Sequence, residues 1–145
     1  DGVSIGSSTL YLDGIKVGDG GQTTGRLNLT VYPTSDFKFN LALFGADNIF
    51  SNINAEDFDE PDGGNAQLPA YKLFDFGAGY NFDLFGNNAY LRLNINNIFD
   101  EEYYPEMENN YLATDDSTNY MGINTANRIF PGWGRTWNVG LTYRF

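Results

Sequence analysis

Apolar and polar residues alternate along much of this chain in runs of about ten residues, which is the period-2 pattern of β-strands with two chemically different faces. The alternation is clearest in residues 136–145, where one face is wholly apolar and the other is polar or small. Six such runs can be assigned, the first of them weak: residues 9–12, 26–31, 37–44, 74–82, 90–96 and 136–145. The sequence therefore predicts an all-β protein of about six antiparallel strands.

The predicted strands are joined by connections of two lengths. Residues 33–36 and 84–88 are short and contain the Pro, Asp, Gly and Asn residues that favour tight turns. The other three connections, residues 13–22, 51–69 and 103–132, are much longer. Because short and long connections alternate, an antiparallel meander places all short turns at one end of the sheet and all long loops at the other. Strands of this length with this asymmetry are typical of outer-membrane barrels.

The charges follow the same division. Nineteen acids and eight bases give a formal net charge of -11. Five of the acids lie in residues 51–69 and seven in residues 100–133, whereas the apolar faces of the predicted strands carry almost none. A lipid-facing surface must be nearly free of charge, since an ionised group at the centre of a bilayer costs about 2–4 kcal/mol. Aromatic residues cluster near the strand ends, as in the two interfacial girdles of membrane barrels.

Composition excludes several classes of function. Too few Lys and Arg residues are present for nucleic-acid binding, and without His or Cys there is no imidazole base, thiolate nucleophile, zinc site or disulfide. Glu101 and Glu102 do not form a glycosidase pair, because adjacent residues of a strand point to opposite faces. We expect no enzymatic activity, no cofactor and no metal site. The acidic residues 57–65 lack EF-hand spacing and predict a solvated loop, with calcium binding as the alternative.

Two other classes of protein share parts of this pattern. In a soluble β-sandwich the apolar face is core and the polar face meets water, and the aromatic and acidic loops suit a carbohydrate-binding domain of that kind. A passive outer-membrane channel has the same strand pattern but not so long a terminal loop. No apolar run approaches the roughly 18 residues that indicate a membrane helix. The loop asymmetry and the girdles favour a membrane barrel.

Three segments resemble, in order and spacing, the last three strands of TonB-dependent outer-membrane receptors. They read LPAYKLFDFGAGYNF at residues 68–82, LRLNINNIFDEEYY at 91–104 and GWGRTWNVGLTYRF at 132–145. The stretch DGIKVGDGGQTTGRLNLTVYP at residues 13–33 resembles the preceding hairpin of that family. The most specific motifs are Asn-Ile-Phe-Asp-x-x-Tyr at residues 97–103 and Gly-Arg-Thr at residues 134–136, leading to a final Phe.

The resemblance implies an antiparallel transmembrane β-barrel of about 22 strands, occluded by an N-terminal plug and energised through a TonB box. Six strands cannot close a barrel, for which about eight is the minimum. We therefore expect this chain to be the C-terminal part of a larger receptor, or one piece of a split receptor, in the outer membrane of a Gram-negative bacterium. The plug domain and the TonB box are absent from the sequence.

The function that the resemblance implies is active uptake of a scarce nutrient such as a ferric siderophore, cobalamin or a glycan. The expected partners are outer-membrane lipid, the rest of the barrel and its plug, the barrel-assembly machinery, and TonB with its inner-membrane motor. TonB would act through the missing N-terminal part. A glycan ligand would add a surface lipoprotein as partner.

The expected site residues form three sets. The inward-facing polar positions would contact the plug or line the path of the substrate: Arg26, Lys38, Asp75, Arg92, Asn94, Asn96, Asn138 and Arg144. The aromatic residues of the last long loop and its end could stack on a ligand: Tyr111, Tyr120, Phe130 and Trp133. The alternate residues of the last strand resemble the signal that the barrel-assembly machinery recognises: Trp137, Val139, Leu141, Tyr143 and Phe145.

Overall fold

The computed structural model describes residues 9–52, 58 and 64–145, and this part of the chain is built from β-strands without an α-helix. Five strands are long: β1 (Gly21–Val31), β2 (Phe37–Phe50), β4 (Tyr71–Leu84), β5 (Asn87–Asn96) and β10 (Thr136–Tyr143). Five are short: β3 (Gln67–Leu68), β6 (Glu106–Glu108), β7 (Asn119–Tyr120), β8 (Ile123–Asn124) and β9 (Arg128–Phe130). The prediction of an all-β, antiparallel fold is confirmed.

The long strands form one sheet in the order β1-β2-β4-β5-β10, and β3 pairs with the end of β2. Each long strand is thus the neighbour of the long strand before it, as a meander requires. The pairs β2 with β4, β4 with β5 and β5 with β10 are antiparallel. Within the described residues the sheet does not close on itself, because β1 and β10 are its two edge strands.

The prediction of a strand at residues 9–12 is wrong. These residues belong to no strand, and the backbone N–H of Tyr11 donates instead to the carbonyl oxygen of Phe58 at 2.8 Å. Four residues of alternation are too few to distinguish a strand from an irregular segment with a single backbone hydrogen bond. The sheet therefore has five long strands and the two-residue β3, not six long ones.

The register places the apolar positions of four strands on one side of the sheet. Val139 is opposite Leu93, Leu93 is opposite Ala78, and Ala78 is opposite Phe39, so one row crosses from β10 to β2. We call this side the apolar face and the other side the polar face. The apolar face consists of Phe37, Phe39, Leu41, Leu43, Phe74, Phe76, Ala78, Tyr80, Phe82, Ala89, Leu91, Leu93, Ile95, Trp137, Val139, Leu141 and Tyr143.

The apolar face is not covered by the described part of the chain. Trp137, Val139 and Leu141 expose 72%, 58% and 60% of their surface, and Leu41 and Leu91 are also exposed. Four adjacent strands thus leave a contiguous apolar surface uncovered, which monomeric proteins in water rarely do.

The short connection between β4 and β5 is a two-residue turn, Phe85–Gly86. Both residues have positive φ, 57° and 81°, which is the conformation of a type I′ hairpin turn. The carboxylate of Asp83 accepts a hydrogen bond from the Gly86 N–H at 2.9 Å and fixes the turn. Both short turns, residues 32–36 and 85–86, lie at one end of the meander, as the sequence predicts.

The chain divides into two compact units. The sheet unit consists of residues 23–47, 70–103 and 132–145, and the loop unit of residues 1–22, 48–69 and 104–131. The described residues of the loop unit have a small core with four fully buried apolar side chains, Ile49, Phe58, Leu68 and Met107. The described parts of the long connections are therefore packed against one another around a core of their own.

An asparagine holds three segments of the loop unit together. The Asn110 side-chain oxygen accepts hydrogen bonds from the Ser51 hydroxyl and the Ala66 N–H, each at 2.6 Å, and its amide nitrogen donates to the Gly64 carbonyl. Ser51 is fully buried. Of the acidic stretch 57–65, only Phe58, Gly64 and Asn65 are among the described residues, so the prediction of a solvated acidic loop lies mostly outside them.

None of the described residues belongs to a helix long and apolar enough to cross a membrane.

Candidate functional site

The polar face brings together the residues that the sequence predicts to face inward. Asn94 and Asn138 are opposite each other, and the Asn94 amide donates to the Asn138 side-chain oxygen at 2.9 Å. One row along, the Asn96 amide donates to the Thr136 hydroxyl at 3.1 Å. These cross-strand hydrogen bonds tie β5 to the edge strand β10. Lys38, Asp75, Arg92 and Arg144 lie on this face too, and Arg26 lies on the edge strand β1.

Large side chains lie flat across glycines of the polar face. The Tyr90 ring covers Gly79, where an added Cβ would come within 2.2 Å of the Tyr90 hydroxyl oxygen. The Lys38 ammonium lies 5.9 Å from the centre of the same ring, within the range of a cation–π interaction. Asn40 covers Gly77 in the same way. Glycine at these two positions lets polar side chains fold down onto the sheet.

An aromatic cluster occupies the end of the polar face that leads into the long connections. Tyr71 and Tyr103 have ring centres 4.5 Å apart, and Phe44 lies 6.1 Å from Tyr71. Tyr71 also lines a cavity of about 560 Å³ together with Lys72 and Glu101. By register Lys72 projects to the other side of the sheet, so the groups that this end of the polar face offers a ligand are the Tyr71 ring, for stacking, and the Glu101 carboxylate, for hydrogen bonds.

The two motifs that carry the family resemblance meet in one hydrogen-bonded knot, which we call the motif knot. Buried Asn97 is its centre: its amide nitrogen donates to the carbonyls of Glu101 at 2.9 Å and Trp133 at 3.3 Å. Its side-chain oxygen accepts the Glu101 N–H at 2.9 Å, and its own N–H donates to the Asp75 carboxylate at 3.0 Å. A single side chain thus joins the end of β5 to the start of β10.

Asp100 and Gly132 complete the motif knot. The Asp100 carboxylate accepts the Arg135 N–H at 2.7 Å, and the Gly132 N–H donates to the Tyr103 carbonyl at 2.8 Å. Asn97 and Asp100 have φ of 51° and 57°, the left-handed conformation that Asn and Asp tolerate better than other residues with a Cβ. The spacing of the motifs therefore has a local structural reason, which is to position Tyr103 and Trp133.

The four predicted ligand-contacting aromatics are placed differently. Tyr111 and Tyr120 are exposed side chains of the loop unit, and the edge of the Tyr120 ring packs at 6.5 Å from Tyr104. Phe130 is half-buried, with the Arg128 guanidinium 5.1 Å from its ring centre. Trp133 belongs to the sheet unit and is 83% exposed. The structure therefore places three of the four in the loop unit and one in the sheet unit.

Asn127 fixes the backbone of Tyr111. Its amide nitrogen donates to the Tyr111 carbonyl at 2.8 Å and its side-chain oxygen accepts the Tyr111 N–H at 2.9 Å. Asn127 is buried, whereas the Tyr111 side chain is exposed. An exposed ring on a fixed backbone loses little conformational entropy when it contacts a ligand.

The predicted assembly residues lie on the free edge strand. Trp137, Val139, Leu141 and Tyr143 project from the apolar face of β10, and no described strand pairs with its outer edge. Phe145 follows the strand, with its ring centre 6.2 Å from that of Tyr143. This arrangement leaves both backbone and aromatic groups of β10 accessible to a partner strand.

Sequence reasoning missed three residues that position the site. Asn97 belongs to a sequence motif, but its hydrogen-bonding role was not predicted. Tyr90 was predicted to lie on the polar face, but not to cover a neighbouring strand. Tyr71 was one of many aromatic residues near strand ends. The sequence did contain an indication of the position of Tyr90: Gly77 and Gly79 lie on the same face of the neighbouring strand and leave room for a large side chain.

Replacing Gly132 with Ala is expected to displace Tyr103 from Tyr71. A Cβ at position 132 would lie 2.0 Å from the Tyr103 ring, so the ring must move and its contact with Tyr71 is lost. We expect the free energy of unfolding to fall by about 1–2 kcal/mol, measured by urea titration. In a Tyr103→Ala background the same change should cost almost nothing. Gly140→Ala is the control, because nothing lies within 4 Å of a Cβ at position 140. An equal loss of stability in Gly132→Ala and Gly140→Ala would contradict the contact between Gly132 and the Tyr103 ring.

Among the described residues, no group of three or more acidic side chains is arranged to hold a metal ion.

No family model matches the chain, and neither the comparison with curated proteins nor that with solved structures found a match.

Proposed function

We propose that this chain forms wall and outer loops of a TonB-dependent receptor in the outer membrane of a Gram-negative bacterium. The observation that carries the proposal is the apolar face, whose residues align in register across four strands while large side chains stay exposed. A sheet with one apolar and one polar side matches a wall between lipid and a polar interior. The family resemblance of the motifs adds the receptor function to this physical argument.

Strand length supports the same proposal. A transmembrane β-strand needs about 9–11 residues when it is tilted. Four of the five long strands reach this length: β1 has 11 residues, β2 and β4 have 14 each and β5 has 10, whereas β10, with eight, is slightly shorter. Long strands that continue beyond a bilayer are a feature of membrane barrels with large external loops.

Both edge strands need partners in such an environment. Unpaired backbone groups in the hydrocarbon region cost several kcal/mol each, so β1 and β10 must be paired with further strands of the barrel. We propose that those strands, and a plug that fills the interior, come from the rest of the receptor. The free edge of β10 and its aromatic side chains are suited to recognition by the barrel-assembly machinery.

The tip of the β4–β5 turn carries an aromatic residue at a position whose backbone conformation favours Asn or Gly. Type I′ turns favour Asn or Gly at this position, yet Phe85 adopts φ of 57° and is 89% exposed. Since an exposed aromatic at an unfavourable φ gains nothing within the described structure, an external contact has to compensate. A membrane interface, where aromatic rings are favoured, offers such a contact.

A fluorescent probe at position 85 tests this interfacial contact. In a Trp133→Phe, Trp137→Phe background, Phe85→Trp in vesicles should be quenched more strongly by lipids brominated near the headgroup than near the chain ends. Val139→Trp, in the middle of β10, should give the reverse order. If neither tryptophan is quenched by brominated lipid, the apolar face does not contact the bilayer.

Membrane partition separates the receptor from a carbohydrate-binding sandwich. The full protein, produced in a Gram-negative host, is expected in the outer-membrane fraction and to resist extraction by urea or carbonate. A sandwich would stay in solution as a monomer without detergent. Recovery of a folded monomer from the aqueous fraction would therefore exclude the membrane proposal.

Energy dependence separates the receptor from a passive channel. Uptake of the nutrient by cells with the intact receptor should stop when TonB is deleted or the inner-membrane proton gradient is collapsed. The nutrient is a siderophore, cobalamin or glycan in this proposal, and a glycan adds a surface lipoprotein as partner. Uptake that continues unchanged without TonB would indicate a passive channel.

A further inference from the structure

The polar face carries several bases in a strongly acidic chain. Lys38, Arg92 and Arg144 lie on it together with three acids, Asp36, Asp75 and Asp83, whereas the whole sequence has a net charge of -11. Asp75 accepts the Asn97 N–H and Asp83 the Gly86 N–H, but an accepted hydrogen bond does not remove the charge of a carboxylate. The face as a whole is therefore balanced in charge, and an anionic partner can bind only where its bases lie together without an acid.

Two of these bases line one cavity near the short turns. Lys38 and Arg144 border a space of about 380 Å³ whose remaining walls are the polar side chains of Asn81, Asn88, Tyr90 and Thr142. Neither base forms an ion pair with a described residue. The volume lies within the range of about 300–1,000 Å³ that small-molecule sites occupy.

The local structure fixes the two bases in different ways. Lys38 lies over the Tyr90 ring, 5.9 Å from its centre, and the ring in turn rests on Gly79. Arg144 is held at the backbone, where its N–H donates to the Asn88 carbonyl at 3.1 Å. Arg92 lies in the same row as Gly79 and adds a third positive charge to this part of the face.

The chemistry of the lining defines the ligand class. Lys38 and Arg144 can donate charge-assisted hydrogen bonds to an oxyanion. The amides of Asn81 and Asn88 and the hydroxyl of Thr142 can bond the hydroxyl groups of the same molecule. The face of Tyr90 suits stacking against a ring. A hydroxylated ring that bears a carboxylate or phosphate group satisfies all of these groups together.

We infer that Lys38, Arg144 and Tyr90 form a binding site for a hydroxylated small molecule carrying a carboxylate or phosphate group. This inference rests on the proposed function, in which it makes the transported nutrient an acidic molecule. The acidic outer loops cannot hold such a ligand by charge alone, whereas the cavity that Lys38 and Arg144 line contains no acidic side chain and complements it. Neutral sugars lack the group that the two bases recognise.

Binding of simple probes to the purified full protein tests the site. We expect glucuronate and inorganic phosphate to bind in isothermal titration, and glucose to bind at least tenfold more weakly than glucuronate. Lys38→Gln and Arg144→Gln should each weaken glucuronate binding roughly tenfold. Lys16→Gln removes the same charge from an exposed residue of the loop unit and should leave binding unchanged. Equal affinity for glucose and glucuronate, or no effect of either substitution, would overturn the inference.

A second variant separates the ring from the charges. Gly79→Ala displaces Tyr90, over which Lys38 lies, so it should weaken glucuronate binding more than phosphate binding, because phosphate has no ring and keeps its contact with Arg144. Preferential binding of phosphate over glucuronate in the unaltered protein identifies a phosphorylated ligand; the reverse identifies a carboxylate. Because binding needs neither uptake nor TonB, failure of this inference is distinguishable from failure of the proposed function.

Discussion

Arg in place of Val139 is expected to lower the free energy of unfolding in lipid vesicles by about 2–4 kcal/mol. Val139 lies mid-strand in β10, in the row with Leu93, Ala78 and Phe39, and 58% of its surface is exposed. On a surface facing water such a change would cost within about 0.5 kcal/mol. At the centre of a bilayer the guanidinium must instead be taken out of water, which is the source of the cost.

The adjacent residue supplies the control for this prediction. Asn138→Arg introduces the same side chain one position away but on the polar face, where only the hydrogen bond with Asn94 is lost. We expect a loss below about 1 kcal/mol from urea titrations followed by tryptophan fluorescence. Equal costs at positions 138 and 139 would mean that the two faces of β10 meet the same environment, and the proposed lipid contact would be abandoned.

The two faces of each strand could be predicted from the sequence because side chains alternate between only two sides. A shift of one residue between β4 and β5 would move Phe76 from opposite Ile95 to opposite a polar neighbour. Alternation within each strand therefore excludes odd shifts of the register, whereas a shift of two residues keeps the same faces and is excluded only by the length of the connecting turn. The turn at Phe85–Gly86 was predicted as a short connection, although its type I′ conformation was not.

The packing of the long connections could not be predicted in this way. Residues such as Ile49, Leu68 and Met107 are far apart in the sequence and follow no common period, yet all are fully buried in the loop unit. Asn110 accepts hydrogen bonds from Ser51 and Ala66, which are more than forty residues away in the sequence. Contacts between irregular segments depend on tertiary structure, and charge counts alone suggested solvated loops there.

The sequence predicted which side of the sheet carries the residues of the candidate site, but not how those residues are arranged around one cavity. Alternation identified Lys38 and Arg144 as residues of one side of the sheet. It could not show that both line one cavity with Tyr90, since that depends on how strands β2, β5 and β10 are placed side by side. Similarly, the motifs at residues 97–103 and 134–136 were visible as sequence patterns, but their mutual hydrogen bonds were not.

Ala in place of Asn97 is expected to lower the free energy of unfolding by about 3–4 kcal/mol. The buried amide bonds Glu101 and Trp133 at three points, and its removal leaves their backbone groups without these partners. Ala also tolerates φ of 51° less well than Asn, by about 1 kcal/mol. Because the motif knot holds the start of β10, the proposed function leads us to expect less heat-modifiable, folded protein in the outer-membrane fraction as well.

Two further variants separate the side chain from the backbone. Asn97→Gly loses the same hydrogen bonds but adopts positive φ freely, so it should be about 1 kcal/mol more stable than Asn97→Ala. Asn109→Ala changes an exposed asparagine with φ of 69° and should show the backbone cost alone. If Asn97→Ala and Asn109→Ala prove equally stable, the amide of Asn97 does not hold the two motifs together, and their shared spacing needs another explanation.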